Sequence, residues 1–498
     1  MKVSHKITTD EIKNWGKGDT ITITAGTGAG KSYFIKNELY DYAKKNNKKI
    51  LMLIHRINCI NQFQIEIEED DKTDIIEIKT YQSIESQLRK GLNFNFNKYD
   101  YIICDEFHYF MSDARFNRFT DMSLNIILGQ TNKTRIFMSA TGSDMKKYIN
   151  DYKKVESINY ELPIDFSFIN KLHFYNKDET LNDFIEDIIK TNQKAIFFIQ
   201  SAEKAYNLHK KYKKHSLFNC SKSNAKYYKF VDEETINNML KEEKFIEQIL
   251  ITTSAMDAGL NIVDEDLKYI IVDMEDTGTL IQCIGRKRFT YKNEKINLYV
   301  KAVNNQQLGG KITQINKRIE MAEYLKKEGV QSFTLKYYRE HDLSNIIYDE
   351  ITDDENRSVK KINELIFFKA EIDKKEVLEM LELKRFSYCK YIARMFGIDE
   401  NDYYFFEQEQ GKQSLEDYLN SIVGEKLFKD EQQELIERID VKVNGRQQRS
   451  LKKLNEGLEM IEMNYVIIKN VDYRRILVDG TENPNRNKAY WQIIESLA

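Results

Sequence analysis

A run of consecutive residues near the start of the chain has the composition of a phosphate-binding loop. The run is Ala25, Gly26, Thr27, Gly28, Ala29, Gly30, Lys31 and Ser32. Glycines let a backbone wrap so that successive N–H groups point toward phosphate oxygens. In such a loop Lys31 can reach the β- and γ-phosphates, and Ser32 can hold Mg²⁺. The run therefore predicts a site for a nucleoside triphosphate with its magnesium ion.

The residues on either side of this loop would position it. Residues 20–24 alternate threonine with isoleucine, which is typical of a strand, and residues 33–45 favour a helix. Strand, glycine loop and helix are the context that phosphate binding requires, because the helix N-terminus adds partial positive charge. A glycine-rich turn that binds nothing is the alternative, and these flanking elements disfavour it. Ala25 stands where glycine is commoner, which is a modest departure from the motif.

A pair of carboxylates follows a short apolar run later in the chain. Residues 101–104 predict a buried strand, and Asp105 and Glu106 come directly after it. A parallel strand that ends in carboxylates places them at the carboxyl edge of its sheet, where open α/β folds bind ligands. There Asp105 can hold Mg²⁺ and Glu106 can orient and deprotonate an attacking water. A solvent-facing acidic strand end is the alternative, which the phosphate loop upstream disfavours.

These residues belong to a set of blocks that resembles superfamily 2 helicases. Residues 105–108 resemble the DExH box, and the other blocks, in family order, are residues 51–56, 80–83, 139–141, 196–199, 252–261 and 282–288. Single blocks are weak evidence, but the ordered set over roughly residues 20–290 is specific. The sequences of residues 105–110 and 282–288 are similar to those of helicases of phages and mobile elements in low-GC Gram-positive bacteria.

The resemblance implies an ATP hydrolase that uses ATP and Mg²⁺. It implies that Gln282 contacts the γ-phosphate or the attacking water, and that Arg286 and Arg288 bring positive charge to the leaving phosphate. Gly259 and Asn261 join the nucleotide-binding set. The family more commonly places its two arginines one residue further apart, so the identity of the arginine finger stays open. A solvated basic helix is the alternative for this block.

The resemblance also implies a nucleic-acid groove that is coupled to the ATP site. The residues implied to face the nucleic acid are Arg56, Thr80, Gln82 and Thr253. Short hydroxyls, amides and arginine suit sugar–phosphate contacts, which carry little sequence information. Ser139 and Thr141 would connect the ATP site to this groove, and His108 would lie between the carboxylates and a second lobe. Trp15 either stacks on the base or packs its own helix, and the packing role is favoured.

The predicted fold class is α/β, with two RecA-like parallel-sheet lobes in tandem and a mostly helical C-terminal accessory region. Strands are predicted at residues 21–24, 50–54, 75–79, 101–104 and 135–138, and again at 195–199, 249–252, 269–272 and 296–300. Their alternation with helical segments is the βαβ pattern of a parallel sheet. We therefore expect lobes at residues 1–160 and 161–303 and the accessory region at 304–498.

The accessory region has no block of the helicase set. Residues 306–310 predict a linker, helices are expected at 311–328, 356–370, 373–385, 430–440 and 446–461, and a hairpin is expected from strands 474–478 and 489–494. A basic helix beside a hairpin is consistent with an accessory DNA-binding wing. A solvated helix packed on the lobes is the equal alternative.

Composition limits the class of protein. The 498 residues are 41% hydrophobic and 31% charged, as in globular proteins, with no apolar run of membrane length and no secretory signal. The five cysteines form no CxxC pair, which argues against a zinc site or a disulfide framework and predicts a cytoplasmic location. The net charge of −3 means that any nucleic-acid surface is local.

Several functional hypotheses follow. The first is an ATP-dependent helicase or translocase on DNA, in phage or mobile-element replication or recombination, with proteins of those processes as partners and no membrane partner. The second is the same motor on RNA, because the core grips mainly backbone. The third is an ATPase switch that remodels nucleic-acid complexes without separating strands. A scaffold without turnover is disfavoured by intact Lys31, Asp105, Glu106 and Arg286.

Overall fold

The computed structural model describes residues 2–55, 57–115, 117, 119–254, 261–289, 291, 293–338, 346–351, 358–400, 402–443, 446–461 and 463–495. The chain forms two compact units, Met1–Tyr403 and Tyr404–Ala498. The larger unit holds two parallel sheets and a helical arm, and the smaller unit holds helices and short hairpins. Within the described ranges, no helix is long and apolar enough to span a membrane.

The first lobe is a six-stranded parallel sheet with the order β3-β2-β4-β5-β1-β6. Its strands are β1 (Thr20–Ala25), β2 (Ile50–Ile54), β3 (Ile76–Thr80), β4 (Tyr101–Asp105), β5 (Thr134–Ser139) and β6 (Ile158–Leu162). Its helices are α1 (Val3–Lys6), α2 (Thr9–Asn14), α3 (Lys31–Phe34), α4 (Tyr40–Lys45), α5 (Ile57–Glu69), α6 (Tyr81–Arg89), α7 (Tyr109–Ser112), α8 (Thr120–Leu128) and α9 (Ser143–Lys147). A π-helical segment, Ile35–Leu39, joins α3 to α4.

Both faces of the inner strand β2 are buried, which is why this strand reads as a continuous apolar run. Along β2, Ile50, Met52 and Ile54 pack into one core, while Leu51 and Leu53 pack into another on the opposite face. This alternation follows from the two-residue period of a strand. Since β1, β5 and β4 are neighbours and parallel, the loops that follow them meet at one edge.

The second lobe is also a parallel sheet, in which the strands of the larger unit have the order β7-β12-β11-β8-β10-β9. These strands are β7 (Ile169–Tyr175), β8 (Lys194–Ile199), β9 (Ser216–Asn219), β10 (Ile249–Thr252), β11 (Leu267–Asp273) and β12 (Ile296–Lys301). The helices are α10 (Thr180–Lys190), α11 (Ala202–Lys211), α12 (Ala225–Tyr228), α13 (Glu233–Glu242) and α14 (Thr277–Ile284). The prediction of two RecA-like lobes in tandem is confirmed.

A helical arm completes the larger unit. It comprises α15 (Asn305–Tyr337), the hairpin β13 (Ile347–Ile351) and β14 (Ser358–Ile362), α16 (Glu364–Glu382) and α17 (Ser387–Met395). The predicted linker at residues 306–310 is wrong, because α15 begins at Asn305 and runs through it to a non-helical Gly329. The helices predicted at 356–370 and 373–385 are confirmed over residues 364–382, which form the single helix α16, but residues 358–362 form strand β14.

The smaller unit has a core of its own around α20 and a terminal hairpin. Its elements are β15 (Tyr404–Phe405), α18 (Phe406–Ile422), α19 (Lys429–Ile439), β16 (Lys442–Val443), β17 (Arg446–Gln447), α20 (Leu451–Met460), β18 (Tyr465–Val471) and β19 (Ala489–Glu495). The helix predicted at 446–461 begins only at Leu451. The hairpin prediction is wrong in its first strand, since β19 pairs with Tyr465–Val471 and not with residues 474–478.

Candidate nucleotide-binding cleft

The loop after β1 has the backbone that its glycines predicted. Gly28 and Gly30 have φ of 79° and 86°, a left-handed region that other residues adopt only with strain. Lys31 begins the following helix, and its buried Nζ donates to Ala25 O at 2.8 Å and more weakly to Gly26 O at 3.4 Å. Ser32 lines the cleft beside it. The loop is therefore a wrapped backbone with a lysine folded into its centre.

Asp105 ends β4, two strands away from β1, and Glu106 follows in an unusual conformation. Glu106 has φ of 49°, which is uncommon for a residue with a side chain and is often found at functional sites. Phe107 N donates to Met138 O at 3.1 Å, which ties the turn to β5. The turn therefore fixes both carboxylates at the same sheet edge as the phosphate loop.

The two carboxylates titrate in opposite directions. Burial, reinforced by the charge of Glu106, raises the pKa of Asp105 to about 7. Burial also acts to raise the pKa of Glu106, but the hydrogen bond with His108 and the charge of Lys31 outweigh it and lower that pKa. Two adjacent acids with separated pKa values can take different roles. Glu106 is the one held ionised, as a group that orients and deprotonates water needs to be.

A continuous set of side-chain hydrogen bonds runs from Glu106 across to the second lobe. Ser139 Oγ donates to Glu106 Oε2 at 3.1 Å, and His108 Nδ1 lies 2.8 Å from Ser139 Oγ. Gln282 Nε2, on α14, lies 3.0 Å from His108 Nε2 and donates to Thr141 Oγ1 at 2.8 Å. With the amide oriented so, His108 Nε2 accepts and its Nδ1 carries the proton. The predicted coupling residues are thus brought together.

Both predicted arginines lie at this junction. Arg286 is buried, its Nε donates to Gln282 O at 3.1 Å, and its charge helps to lower the pKa of Glu106. Arg288 Nε donates to Asn261 Oδ1 at 2.7 Å, and burial, with the Arg286 charge second, lowers its pKa to about 10. A Cβ added at Gly28 would lie 3.3 Å from Arg288 Nη1, so this guanidinium faces the phosphate loop.

The lobes approach closely beside these arginines. A Cβ on Gly285, at the end of α14, would lie only 2.4 Å from Thr27 Oγ1 of the phosphate loop. The cleft around this contact has a volume of about 2690 Å³ and is lined by both lobes and the arm. Its floor carries Lys31, Asp105 and Glu106, and its opposite wall carries Gln282 and Arg286.

Two of the four predicted nucleic-acid residues line the cleft. Thr80 Oγ1 accepts from Ser83 N at 2.9 Å and so caps α6. Gln82 and Thr253 line the cleft, and Thr253 is buried. Arg56 lies outside the described residues, as does Gly259 of the nucleotide-binding set. The structure therefore brings Gln82 and Thr253 to the cleft and gives Thr80 a capping role as well.

Trp15 packs in the core and does not stack on a base. Its Nε1 donates to Tyr160 OH at 3.2 Å, and its ring contacts Phe34 with centroids 6.3 Å apart. Because its ring is enclosed by these contacts, the favoured packing role is the one observed.

The prediction missed residues that support the carboxylate turn from below. Tyr81 OH donates to Asp105 O at 2.8 Å, and buried Glu85 accepts from Tyr109 OH at 3.0 Å. A Cβ on Gly142 would lie 2.3 Å from the Phe107 ring, so only glycine fits there. The Tyr81 position was within a recognised block, and Gly142 directly follows another, whereas nothing in the sequence distinguishes Glu85.

The donor set fits ATP with Mg²⁺. The wrapped backbone at Gly28 and Gly30 suits phosphate oxygens, and Lys31 and the two arginines suit negative charge. A hydroxyl on Ser32 and a carboxylate on Asp105 are the hard oxygen ligands that Mg²⁺ prefers. Within the described ranges, no group of three or more histidine, cysteine or acidic side chains could hold a metal, so phosphate and water would complete the coordination.

Comparison with known proteins gives one family match. Residues 5–144 match the model of ResIII, the res subunit of type III restriction enzymes. No curated protein is significantly similar to the chain. Similar solved structures include S. cerevisiae Dbp5 bound to RNA and ADP BeF3, which is 16% identical, with 60% of this chain and 83% of that chain covered and a TM-score of 0.44. Another is Mss116p bound to ssRNA and AMP-PNP, at 14% identity, 64% and 80% coverage and a TM-score of 0.43.

The family match falls on the first lobe, where it covers the phosphate loop, the carboxylate turn and Ser139–Thr141. The second lobe adds the residues that face this site across the cleft. The chain therefore has two α/β lobes that face one cleft, and residues 5–144, in its first lobe, are similar to the res subunit of type III restriction enzymes.

Proposed function

We propose that the chain is an ATP-dependent helicase or translocase of the DExH type that moves along or unwinds DNA. The observation that supports this most is the hydrogen-bonded connection from Glu106 through Ser139 and His108 to Gln282. It joins the group suited to activate water to the opposite lobe. A change at the ATP site would therefore be transmitted to the position of the second lobe.

In this proposal the first lobe holds the nucleotide and the second completes the reaction site. Lys31 and the backbone of the glycine loop bind phosphate, while Ser32 and Asp105 hold Mg²⁺. Mg²⁺ and ATP, when bound, supply the phosphoryl group and the charge neutralisation. Glu106 orients water and accepts its proton. Arg286 and Arg288 stabilise negative charge, a contribution of about 10³–10⁵ in rate for an arginine finger.

Hydrolysis would be converted into movement through the contacts between the lobes. Gln282 meets His108 and Thr141 only when the lobes are together, as in this structure. Loss of the γ-phosphate would weaken this closure and let the second lobe step along the backbone. Separating a duplex costs roughly 1.4 kcal/mol per base-pair step, which one ATP can supply.

DNA is favoured as the polymer. The name of the matched family is that of a restriction enzyme, and restriction enzymes act on DNA. The blocks at residues 105–110 and 282–288 favour the replication or recombination of a phage or mobile element, with proteins of those processes as partners. RNA is the alternative polymer, because such a core grips mainly the backbone of the nucleic acid.

The test is ATP hydrolysis by the full chain with no nucleic acid, single-stranded DNA, duplex DNA or single-stranded RNA. We expect DNA to stimulate turnover, Lys31→Ala to abolish it, and Glu106→Gln to bind ATP without turnover. A strand-displacement assay on a forked duplex then separates unwinding from a switch. Stimulation by RNA alone would reassign the polymer, and normal turnover in either variant would refute the site.

A further inference from the structure

The first half of α16 is fixed to the first lobe. Leu365, Ile366 and Phe367 lie in the same buried core as residues of β4 and α7. The Phe368 ring contacts Tyr148 at a centroid distance of 5.2 Å. Because of these apolar contacts, α16 moves with the first lobe.

One turn further on, α16 presents a lysine among carboxylates from three parts of the unit. Lys369 Nζ lies 2.6 Å from Asp373 on its own helix, 3.7 Å from Asp144 on α9, and 3.7 Å from Asp276 of the second lobe. Burial alone would lower the pKa of Lys369, but the three carboxylates outweigh it and raise it. The ammonium is therefore charged and shared between the lobes.

Asp276, the second-lobe partner of Lys369, lies at the start of the helix that carries Gln282. Asp276 caps α14, with Thr279 N donating to its Oδ1 at 2.8 Å, and α14 carries Gln282. The next residue, Thr277, donates through Oγ1 to Glu376 Oε1 of α16 at 2.8 Å. The N-terminus of α14 is thus held by α16 at two adjacent points.

The other end of the arm belongs to the second lobe. The Tyr388 ring of α17 contacts Phe174 of β7 with centroids 6.4 Å apart. Between α16 and α17, Lys384 and Phe386 have φ of 62° and 55°, a conformation uncommon for residues with side chains. The arm therefore spans the lobes through a sharp corner, and the contacts of Lys369 with Asp276 depend on how close the lobes are.

We propose that Lys369 is a latch for the closed arrangement of the lobes, a positioning residue that holds α14 through Asp276 while Gln282 faces His108. Asp144 and Asp373 keep the ammonium in place from the first-lobe side. When the lobes separate, α16 loses its contact with Asp276 and the neighbouring Thr277–Glu376 hydrogen bond, while Lys369 keeps Asp144 and Asp373. The arm thereby adds to the closing free energy without touching the nucleotide.

The inference rests on the proposed function for its link to ATP, but its test needs no turnover. Closure is measured in the full chain by energy transfer between fluorophores at Glu69→Cys and Ile246→Cys, two exposed positions on different lobes. Measurements are made without nucleotide and with AMP-PNP and Mg²⁺. We expect Lys369→Met to weaken the closing equilibrium about fivefold, the scale of an ion pair with a half-exposed partner.

Matched variants separate a latch from a merely structural role. Lys369→Arg keeps the charge and should restore closure. Asp276→Asn keeps the helix cap, because asparagine caps as well as aspartate, but removes the charge, and should match Lys369→Met. The double variant Lys369→Met with Asp276→Asn should weaken the closing equilibrium no more than either single variant does. Lys375→Met, on the same helix with a side chain 77% exposed, is the control and should close normally.

Three outcomes would overturn the latch: unchanged closure in Lys369→Met, additive effects of the two charge-removing variants, or no rescue by arginine. If Lys369→Met fails to fold by circular dichroism, Asp276→Asn alone decides. A wild-type chain that hydrolyses no ATP refutes the proposed function, yet the comparison without nucleotide still tests the latch. If the wild-type chain hydrolyses ATP, kcat/KM for ATP should fall in Lys369→Met together with the closing equilibrium and should recover in Lys369→Arg.

Discussion

Replacing Gly285 with alanine should hold the lobes apart while leaving each lobe folded. The added Cβ would lie 2.4 Å from Thr27 Oγ1, about 1 Å inside the ordinary contact distance of 3.4 Å. Relieving such an overlap costs about 1–3 kcal/mol, which corresponds to about a 5-fold to 150-fold loss of kcat/KM for ATP. Gly285 has φ of −66°, so alanine introduces no backbone strain.

The overlap can be relieved from the other side, which gives the prediction its control. Thr27→Ala removes Oγ1, and the next atom of that residue, Cβ, is 3.5 Å from the added group, an ordinary contact. The double variant Gly285→Ala with Thr27→Ala should therefore recover most of the activity lost by Gly285→Ala. The assay is steady-state ATP hydrolysis with single-stranded DNA, with thermal unfolding as a check on folding. Wild-type turnover in Gly285→Ala, or no recovery in the double variant, would refute the close approach.

Three further changes test other parts of the account. Gly142→Ala places a Cβ 2.3 Å from the Phe107 ring and should cost about 1–3 kcal/mol of unfolding free energy in denaturant titration, partly restored by Phe107→Leu. Gln282→Ala removes two hydrogen bonds between the lobes, each worth about 1 kcal/mol. We therefore expect kcat to fall about 5-fold to 30-fold with the melting temperature unchanged. A kcat equal to that of the wild type would contradict the coupling of the lobes through Gln282. Burial, with the Lys171 charge second, lowers the pKa of His173 to about 4. Between pH 6.5 and 4 the unfolded chain therefore binds a proton at His173 that the folded chain does not. The free energy of unfolding should fall by about 3 kcal/mol as the pH drops through that range. His173→Phe should remove that acid-induced loss in thermal unfolding at pH 7 and 4.5, and an identical drop in both proteins would exclude His173 as its source.

The sequence led to this candidate site because its residues directly follow buried parallel strands. β4 begins as an apolar run, β1 alternates threonine with isoleucine, and β5 has an apolar centre, and each is followed by residues suited to chemistry. Parallel neighbours bring their carboxyl ends together, so the glycine loop, Glu106 and Ser139 had to meet. The contact with Gln282 came from the family resemblance alone, since spacing along the chain carries no information about how two lobes face each other.

Edge strands were harder to predict than central ones. β6 lies at the edge of the first sheet, and along it only Tyr160 and Leu162 are buried. Asparagine and glutamate are disfavoured in strands, so an edge strand that contains both gives a weak pattern. β7 and β9 were missed as well.

In the accessory region, local sequence patterns gave wrong predictions of a linker and of a strand. The two glycines in residues 306–310 suggested a linker, but Asn304 and Gln307 form a reciprocal capping box that begins α15. That signal was readable in the sequence. The apolar residues 476–478 suggested a strand at 474–478, yet Val478 is 98% exposed, because β19 takes its partner from earlier in the chain.

The central claim is that the two lobes form one ATP-hydrolysing site that nucleic acid activates. Its most direct test is the rate of ATP hydrolysis at saturating ATP, with and without single-stranded DNA, for the wild-type chain, Lys31→Ala and Arg286→Ala. We predict DNA-stimulated turnover in the wild type and a loss of about 10³ or more in each variant, one from each lobe. Turnover in Arg286→Ala equal to the wild type would contradict the claim, because the first lobe would then hydrolyse ATP alone.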